Sequence, residues 1–301
     1  MRGYRLLGRV TVSAAACVAV VFACTATPHA VPGQSPEPAT VYVALGDSFS
    51  AGVALPPLVN PVSPGICLRS TVNYPSVVAG ALGVTRFRDV TCSGAVMADL
   101  AGRQSDMDGS PIAPQYDALT VDTTLVTVGV GGNDIGLVGL GVGCINVLPE
   151  PAGRSCAAAN TAGGADLVGE TIEAFAPAYA EMIEQIRARA PLARILLVGY
   201  PTGIRPEGCF DRQPVWAVDA AYLQAKIDQL NAVMAEQADA HGAEYVDVAT
   251  SSASHDACAA PGQAWMVGAL PTDPGAIASM HPTAAGHRNS AQQVLNTLAG
   301  R

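Results

Sequence analysis

Aromatic and charged side chains are scarce in this 301-residue chain. Aromatic residues make up 5% of it, so the core volume must come from alanine, valine, leucine and isoleucine, as suits helices packed on a sheet. Charged residues make up 14%, whereas hydrophobic residues make up 50%. A chain of this length and apolar content can bury a sizeable core, and its composition excludes global disorder.

Positive charge is scarce as well. The formal net charge is −9. Arg2, Arg5 and Arg9 lie in an N-terminal segment without acidic residues, so the chain beyond that segment carries a net charge of −12. No basic stripe remains that could neutralise phosphates, and we therefore expect no nucleic-acid partner.

The glycine-rich stretches lack residues that nucleotide sites require. Asp134 stands where a dinucleotide-binding turn that begins at Gly129 needs its third glycine, and no Walker lysine follows any glycine-rich loop. The Gly-x-Ser-x-Gly turn of α/β-hydrolases is absent, because Ser50 stands at its last position. No spacing of histidines and cysteines is typical of zinc. We expect neither a metal nor a cofactor.

The N-terminus has the features of a bacterial export signal. Three arginines precede an apolar run of fourteen residues, Val10 to Ala23, which is too short for a permanent membrane span. Residues 1–24 are therefore predicted as a signal segment, and residues 25–39, rich in proline and threonine, as a linker. The run ends in a sequence similar to a lipoprotein box at Cys24; alternatively, cleavage falls as late as residue 30. The protein is accordingly expected to be secreted or anchored at the cell surface through a lipid on Cys24.

The cysteine count agrees with export. Cys17 lies inside the apolar run, and Cys24 is either lipidated or removed. Six cysteines then remain, an even number as expected for three disulfides in an exported protein: Cys67, Cys92, Cys144, Cys156, Cys209 and Cys258. The count alone does not determine which cysteines pair.

Strand and helix patterns alternate between residues 40 and 299. Strands are predicted over 41–45, 87–91, 123–128, 194–198 and 244–248, and helices over 74–82, 164–189, 215–240 and 283–298. Pro177 is expected to kink or restart the second of these helices. Loops are predicted over 103–118, 136–160 and 249–280. The alternation predicts a single three-layer α/β/α domain with a central, mostly parallel sheet.

Small and polar residues follow three of the predicted strands. They are Gly46-Asp47-Ser48, Ser93-Gly94 and Gly132-Asn133-Asp134. Ligands bind at the carboxyl ends of parallel strands, and adjacent strands lie about 5 Å apart, so these groups can converge on one point. Ser48 is therefore a candidate nucleophile; the alternative is that it only caps the following helix.

A serine nucleophile needs a base, and His281 is the candidate. It lies at the start of the last predicted helix, from where its imidazole can reach Ser48. His241 ends a helix, where a cation suits the helix dipole. His255 and His287 are interpreted as solvated or structural.

Taken together, these segments resemble the four signature blocks of the GDSL, or SGNH, hydrolase superfamily. The matching residues occur in the family's order and at its spacing: Gly46-Asp47-Ser48-Phe49-Ser50, Gly94, Gly132-Asn133-Asp134 and His281-Pro282-Thr283. The resemblance covers residues 40–299. It implies the flavodoxin-like SGNH-hydrolase fold there, and a serine esterase or lipase that cleaves acyl esters through an acyl-enzyme intermediate.

A second set of residues resembles the actinobacterial secreted esterase and lipase branch of that superfamily. The set comprises Ser254-His255-Asp256-Ala257-Cys258, Trp265 and the six cysteines. The sequential pairing of that branch implies the disulfides Cys67–Cys92, Cys144–Cys156 and Cys209–Cys258.

The resemblance also implies a role for each matching residue. Ser48 would attack the ester carbonyl, and His281 would take its proton and return it to the leaving alcohol. The backbone N–H groups of Ser48 and Gly94 and the side-chain amide of Asn133 would hold the oxyanion.

One position departs from the family pattern. The aspartate that usually lies three residues before the histidine is replaced by Ala278. Members of the actinobacterial branch use a main-chain carbonyl instead, so we predict a Ser48–His281 dyad in which the carbonyl oxygen of Ala278 accepts from the imidazole. Asp273 or Asp256 would replace that carbonyl if the long loop folds back.

The expected function is hydrolysis of a small-molecule or lipid ester by a monomer. Apolar loops around 53–64 and 136–149 favour a lipidic acyl chain, which includes phospholipid substrates. Two alternatives share the fold: a carbohydrate acetylesterase and a non-catalytic surface binding module. The binding module is disfavoured because the nucleophile, the base and both oxyanion residues are present together.

Overall fold

A sheet of parallel strands lies at the centre of the protein. The structure, a computed structural model, describes residues 40–60, 65, 67–105, 109–271 and 278–300. These residues belong to the second of two units of the chain, Pro38–Arg301. Their strands are β1 (Val41–Gly46), β2 (Arg86–Asp89), β3 (Gln104–Ser105), β4 (Pro111–Ile112), β5 (Leu125–Gly129), β6 (Arg194–Val198) and β7 (Glu244–Val246). Five of them form the central sheet in the order β2-β1-β5-β6-β7, all parallel, while β3 and β4 form a separate antiparallel pair.

Helices connect these strands. In the described part of the chain they are α1 (Ser48–Ala51), α2 (Tyr74–Ala81), α3 (Met97–Ala101), α4 (Leu137–Gly143), α5 (Cys156–Asn160), α6 (Leu167–Arg189), α7 (Ala217–Ala240), α8 (Ala249–Ser252) and α9 (Ala284–Leu298). A short 3-10 helix spans Gln115–Ala118. None of the helices within the described ranges is both long and apolar enough to cross a membrane.

The central sheet is covered on both faces. Alternate side chains of a strand point to opposite faces, so Val43 and Leu45 of β1 pack with α6 and α7, whereas Tyr42 and Ala44 pack with α2 and α9. This is the three-layer α/β/α arrangement with a central parallel sheet that the sequence predicts, and that prediction is confirmed.

Several predictions of local structure are wrong, among them a restart of the helix at Pro177. The helix α6 continues through Pro177 without restarting, because Ile172 and Tyr179 on either side of the proline are both buried in the core and hold one helix there. The segment 136–160 contains α4 and α5 instead of being a loop. Glycines lower the helix propensity of α4, and its helical conformation depends on tertiary contacts that a local pattern does not show. The segments 103–118 and 249–280 likewise contain short elements, the β3–β4 pair and α8.

The three disulfides pair as the family resemblance implies. Cys67 bonds Cys92, Cys144 bonds Cys156, and Cys209 bonds Cys258. The first holds the loop before α2 against the residues that follow β2, and Ser93 donates from its hydroxyl to the carbonyl oxygen of Cys67 at 2.8 Å. The predicted signal segment and linker, with Cys24, lie outside the described residues.

His287 joins α9 to α2. Its Nδ1 accepts the backbone N–H of Tyr74, 3.2 Å away, at the first residue of α2. The side chain is fully buried, and this burial lowers its pKa to about 3. An imidazole held neutral between two helices is a packing element, which agrees with a structural interpretation of His287.

Candidate active site

The candidate site lies where the order of the strands reverses. β1 pairs with β2 on one side and with β5 on the other. The chain therefore adds its second strand on one side of β1 and its later strands on the opposite side. Gly46 at the end of β1 is in register with Gly129 at the end of β5, and the N–H of Asp47 donates to the carbonyl oxygen of Gly129 at 2.9 Å. Crevices of this kind, beyond the carboxyl ends of parallel strands, bind ligands in open α/β sheets.

Ser48 begins α1 immediately after β1. Asp47, and not Ser48, is the residue that caps this helix, because its Oδ1 accepts the N–H of Phe49 at 2.9 Å. The hydroxyl of Ser48 is therefore not used in capping, and the side chain is 6% exposed. This arrangement removes the alternative in which Ser48 serves only as a cap.

His281 meets Ser48 across the crevice. The distance from its Nε2 to the Oγ of Ser48 is 2.8 Å, and the distance from its Nδ1 to the carbonyl oxygen of Ser279 is also 2.8 Å. A carbonyl oxygen only accepts, so the proton of the neutral imidazole is on Nδ1 and Nε2 is free to accept from the serine hydroxyl.

The carbonyl that holds His281 belongs to Ser279, and the prediction of Ala278 is wrong by one residue. The intervening residue, Met280, has a φ of 60°, the left-handed conformation that is uncommon for a residue with a side chain. This conformation directs the carbonyl of Ser279 back toward the imidazole of His281. Sequence spacing could not predict it, because it depends on a single unusual backbone dihedral.

No carboxylate in the described residues bonds the imidazole of His281. Asp256 is fully buried, and its oxygens are occupied by the guanidinium of Arg205 at 2.8 Å and by the N–H of Cys258 at 2.7 Å. The prediction of Asp256 as the orienting group is therefore not supported by its position. Asp273 lies outside the described residues, and its role stays a prediction.

Backbone pairing holds the segment around His281 in place. The N–H of Val267 donates to the carbonyl oxygen of His281 at 2.9 Å, and the N–H of Thr283 donates to that of Trp265 at 2.8 Å. The ring of Trp265 in turn stacks on His255, with the ring centroids 3.7 Å apart. His255 is thus structural, and the Trp265 loop fixes where the imidazole of His281 lies.

The imidazole of His281 is held in its neutral form. Burial lowers its pKa below the usual 6.5, and the hydrogen bond to Ser279 acts in the opposite direction with a smaller effect. A neutral imidazole at pH 7 is the form that accepts a proton from a hydroxyl.

Two of the predicted oxyanion residues, Gly94 and Asn133, lie in turns that are bonded to each other. Gly94 lies in a turn with a φ of 76°, a left-handed conformation that suits glycine. Asn133 donates from Nδ2 to the carbonyl oxygen of Ala95 at 2.9 Å, which ties this turn to the end of β5 and leaves the second amide hydrogen for a ligand. Within the described residues, the N–H groups of Ser48 and Gly94 have no hydrogen-bond acceptor.

Tyr200 is a site residue that the sequence analysis does not single out. It follows β6, and its hydroxyl donates to Oδ2 of Asp47 at 2.7 Å. Burial raises the pKa of Asp47 to about 7, although the bonds from Tyr200 and Phe49 favour the carboxylate. The available signal was its position, since Gly199-Tyr200-Pro201 follows a buried strand as Ser48 does.

An apolar cavity adjoins the Ser48–His281 pair. Its volume is about 630 Å³, part of it open to solvent. Phe49 and Met280, the neighbours of Ser48 and His281 in the chain, line it together with Leu223. The ring of Phe49, which forms part of the wall, lies 4.9 Å from that of His281, so the cavity lies next to the residues that flank the candidate nucleophile and base.

Comparison with known proteins agrees with this geometry. The sequence pattern of the GDSL-like lipase/acylhydrolase family matches residues 44–288. The chain belongs to this family. The family assignment made from the four blocks is thereby confirmed, and so is ester hydrolysis as the activity.

Relatives in the GDSL-like family cover most of the chain. Lipase 2 of Streptomyces coelicolor is 39% identical over 282 residues, which are 91% of this chain and 90% of that protein. Two crystal structures each cover 86% of this chain and 99% of their own: a phospholipase A1 of Streptomyces albidoflavus NA297, at 30% identity and a TM-score of 0.69, and an extracellular lipase of Streptomyces rimosus, at 31% identity and a TM-score of 0.70.

Proposed function

We propose that this ester hydrolase uses Ser48 as its nucleophile and His281 as its general base. The observation that carries the proposal is the 2.8 Å contact between Nε2 of His281 and the hydroxyl of Ser48, with Nδ1 already bonded to Ser279. The Ser48 oxygen attacks the ester carbonyl while its proton passes to Nε2. Collapse of the tetrahedral intermediate returns that proton to the leaving alcohol and leaves an acyl group on Ser48, which water removes by the same steps.

The negative charge of the tetrahedral intermediate is held by three donors. They are the backbone N–H groups of Ser48 and Gly94 and the Nδ2 of Asn133. Preorganised donors of this kind stabilise the transition state because they need no reorientation when the charge develops.

The substrates are proposed to be carboxylic esters with an apolar acyl chain. The cavity beside Ser48 is lined mainly by aliphatic and aromatic side chains, which favours burial of hydrocarbon. An acetyl group would leave most of this apolar wall without a partner, so the cavity favours a lipase or phospholipase over a carbohydrate acetylesterase.

The enzyme is further proposed to be an exported monomer. Three disulfides are typical of a protein that is exported to an oxidising compartment. One protein of similar structure is an extracellular lipase. Cys24 is either lipidated, which would anchor the protein to a membrane, or removed with the signal segment. The mass of the mature N-terminus, measured on protein from the native bacterium, distinguishes the two.

The proposed chemistry is tested by turnover and by covalent labelling. The purified protein is expected to hydrolyse soluble p-nitrophenyl esters and to take up one equivalent of a fluorophosphonate, with peptide mapping that places the adduct on Ser48. The reagent mimics an ester but leaves a phosphonyl group that cannot be removed by deacylation. An adduct elsewhere, or turnover that survives full labelling of Ser48, would contradict the proposal.

Filling the cavity is expected to shorten the preferred acyl chain. In Leu223→Trp the larger ring occupies space that the acyl chain needs, so kcat/KM on a decanoyl ester falls about tenfold relative to that on an acetyl ester, as a loss of a few buried methylenes predicts. The comparison uses a series of p-nitrophenyl esters of increasing length. Leu192→Trp is the matched control. Leu192 is 68% exposed and lies just before the amino end of β6, whereas Ser48 follows the carboxyl end of β1. An unchanged chain-length profile in Leu223→Trp would place the acyl chain elsewhere.

A further inference from the structure

The buried hydroxyl of Tyr200 connects two sides of the site. It donates to Oδ2 of Asp47 at 2.7 Å and accepts the N–H of Gly132 at 2.7 Å. Asp47 immediately precedes Ser48, and Gly132 immediately precedes Asn133. One oxygen atom therefore links the residue before the nucleophile to the residue before the side-chain oxyanion donor.

Tyr200 is itself fixed from a third direction. Its N–H donates to Oδ1 of Asn231 at 2.8 Å, and its carbonyl oxygen accepts from Nδ2 of the same side chain at 2.8 Å. The residue is 2% exposed, and burial raises the pKa of its hydroxyl well above the usual value, so the proton that it donates to Asp47 is retained. The hydroxyl thus has a fixed position relative to β6 and α7.

The hydroxyl is the acceptor for the N–H of Gly132, while other bonds hold the residues on either side: the Tyr179 hydroxyl donates to the carbonyl oxygen of Val130 at 2.9 Å, and Nδ2 of Asn133 donates to that of Ala95 at 2.9 Å. Gly131 and Gly132 follow β5 and have no side chains of their own to pack. A Cβ on Gly132 would lie 2.9 Å from the Tyr200 hydroxyl oxygen, so the tyrosine packs directly against the bare backbone of this turn. Any shift of the turn moves Asn133, whose amide must lie within hydrogen-bond distance of the oxyanion.

We propose that Tyr200 is a positioning residue whose hydroxyl sets the distance between Ser48 and Asn133. It acts through Asp47 on one side and Gly132 on the other, and it takes no part in proton transfer. The inference rests on the proposed function, because it requires Ser48 and Asn133 to act on the same ester carbonyl.

The test compares two tyrosine-to-phenylalanine variants. Tyr200→Phe removes only the hydroxyl and keeps the ring, whose edge-on contact with Phe49 is 4.9 Å between centroids. Tyr42→Phe is the matched control, since Tyr42 is also fully buried and its hydroxyl shares a 2.7 Å hydrogen bond with Thr127, inside the sheet. For each protein one measures kcat and KM on a soluble p-nitrophenyl ester, the rate of Ser48 phosphonylation and the Tm.

Tyr200→Phe is expected to lower kcat and the phosphonylation rate about 10- to 100-fold, the effect of a small misplacement of reacting groups. KM should stay within about threefold, because the misplaced group acts mainly in the transition state. Tyr42→Phe should lower the Tm to a similar extent while it keeps the wild-type kcat. A wild-type kcat in Tyr200→Phe, an equal loss of kcat in Tyr42→Phe, or a loss that lies in KM would each overturn the inference.

Asp47→Asn provides a second variant should Tyr200→Phe fold poorly. The asparagine keeps one oxygen for the N–H of Phe49 but presents an amide donor in place of Oδ2, so the hydroxyl of Tyr200, which already accepts the N–H of Gly132, loses the acceptor for its own proton. It should also lower kcat, and the double variant should lose no more than Tyr200→Phe alone, because Tyr200→Phe already removes the bond to Asp47 along with that from Gly132. If the loss of kcat in the double variant equals the product of the two single losses, Tyr200 and Asp47 act independently, and the inference is overturned. A wild-type protein without turnover would instead overturn the proposed function, and this inference with it.

Discussion

Ser48→Ala is expected to lower kcat about 10⁴-fold or more, and His281→Ala about 10²- to 10⁴-fold, with ester binding preserved in both. The serine variant loses the attacking oxygen. The histidine variant keeps it but has no acceptor for its proton, since Nε2 of His281 is the base in contact with the hydroxyl at 2.8 Å. Initial rates on soluble p-nitrophenyl esters measure both losses.

Two carboxylate variants test whether a dyad suffices. Asp256→Asn should keep kcat within about threefold but lower the Tm, because a neutral amide weakens the charge-assisted bonds that the buried carboxylate accepts from Arg205 and from the N–H of Cys258. Asp273→Asn should likewise keep kcat. A loss as large as that of His281→Ala in either variant would show that a carboxylate orients the imidazole and would reject the dyad.

The pH profile of the wild type gives an independent check on the base. The reaction needs the neutral imidazole of His281, so kcat/KM falls as the pH drops through the pKa of this group. Burial lowers that pKa below 6.5, and the acid limb is therefore expected below pH 6.5. Asp47 has a pKa of about 7, so the profile is also measured in Asp47→Asn. An acid limb at or above pH 7 that persists in this variant would indicate a carboxylate that raises the pKa of His281 and would contradict orientation by the Ser279 carbonyl.

Asn133→Ala is expected to lower kcat about 10²- to 10³-fold with a small change in KM. The amide donates to a charge that exists only in the tetrahedral intermediate, so its removal raises the barrier and leaves the bound ester almost unaffected. The variant also loses the bond from Nδ2 to the carbonyl oxygen of Ala95, which could disturb the turn at Gly94.

Asn146→Ala controls for this structural effect. The Nδ2 of Asn146 is also bonded to a backbone carbonyl, that of Arg154 at 2.9 Å, and Asn146 does not line the cavity beside Ser48. It should lower the Tm and keep kcat. If Asn133→Ala loses no more activity than Asn146→Ala, Asn133 is not an oxyanion donor.

The sequence alone determined the elements that depend on local pattern. The apolar run of β1 and the residues after it predict a buried strand and a serine at its end, since β-propensity and small turn residues act within a few positions. The position of His281 also follows from local pattern, because it lies three residues before the first residue of α9. Because parallel strands end on the same side of a sheet, the sequence also predicts that Ser48, Gly94 and Asn133 lie close together.

Only the tertiary structure decided which groups form hydrogen bonds with His281 and Asp47. The left-handed conformation of Met280 makes Ser279, and not Ala278, the partner of His281, and no local pattern signals that dihedral. Tyr200 meets Asp47 from a position 153 residues away in the chain. Asp47 follows β1 and Tyr200 follows β6, two strands that flank β5 in the sheet. Which residues meet there is set by strand order and packing, and the residue pattern of one segment does not contain that information.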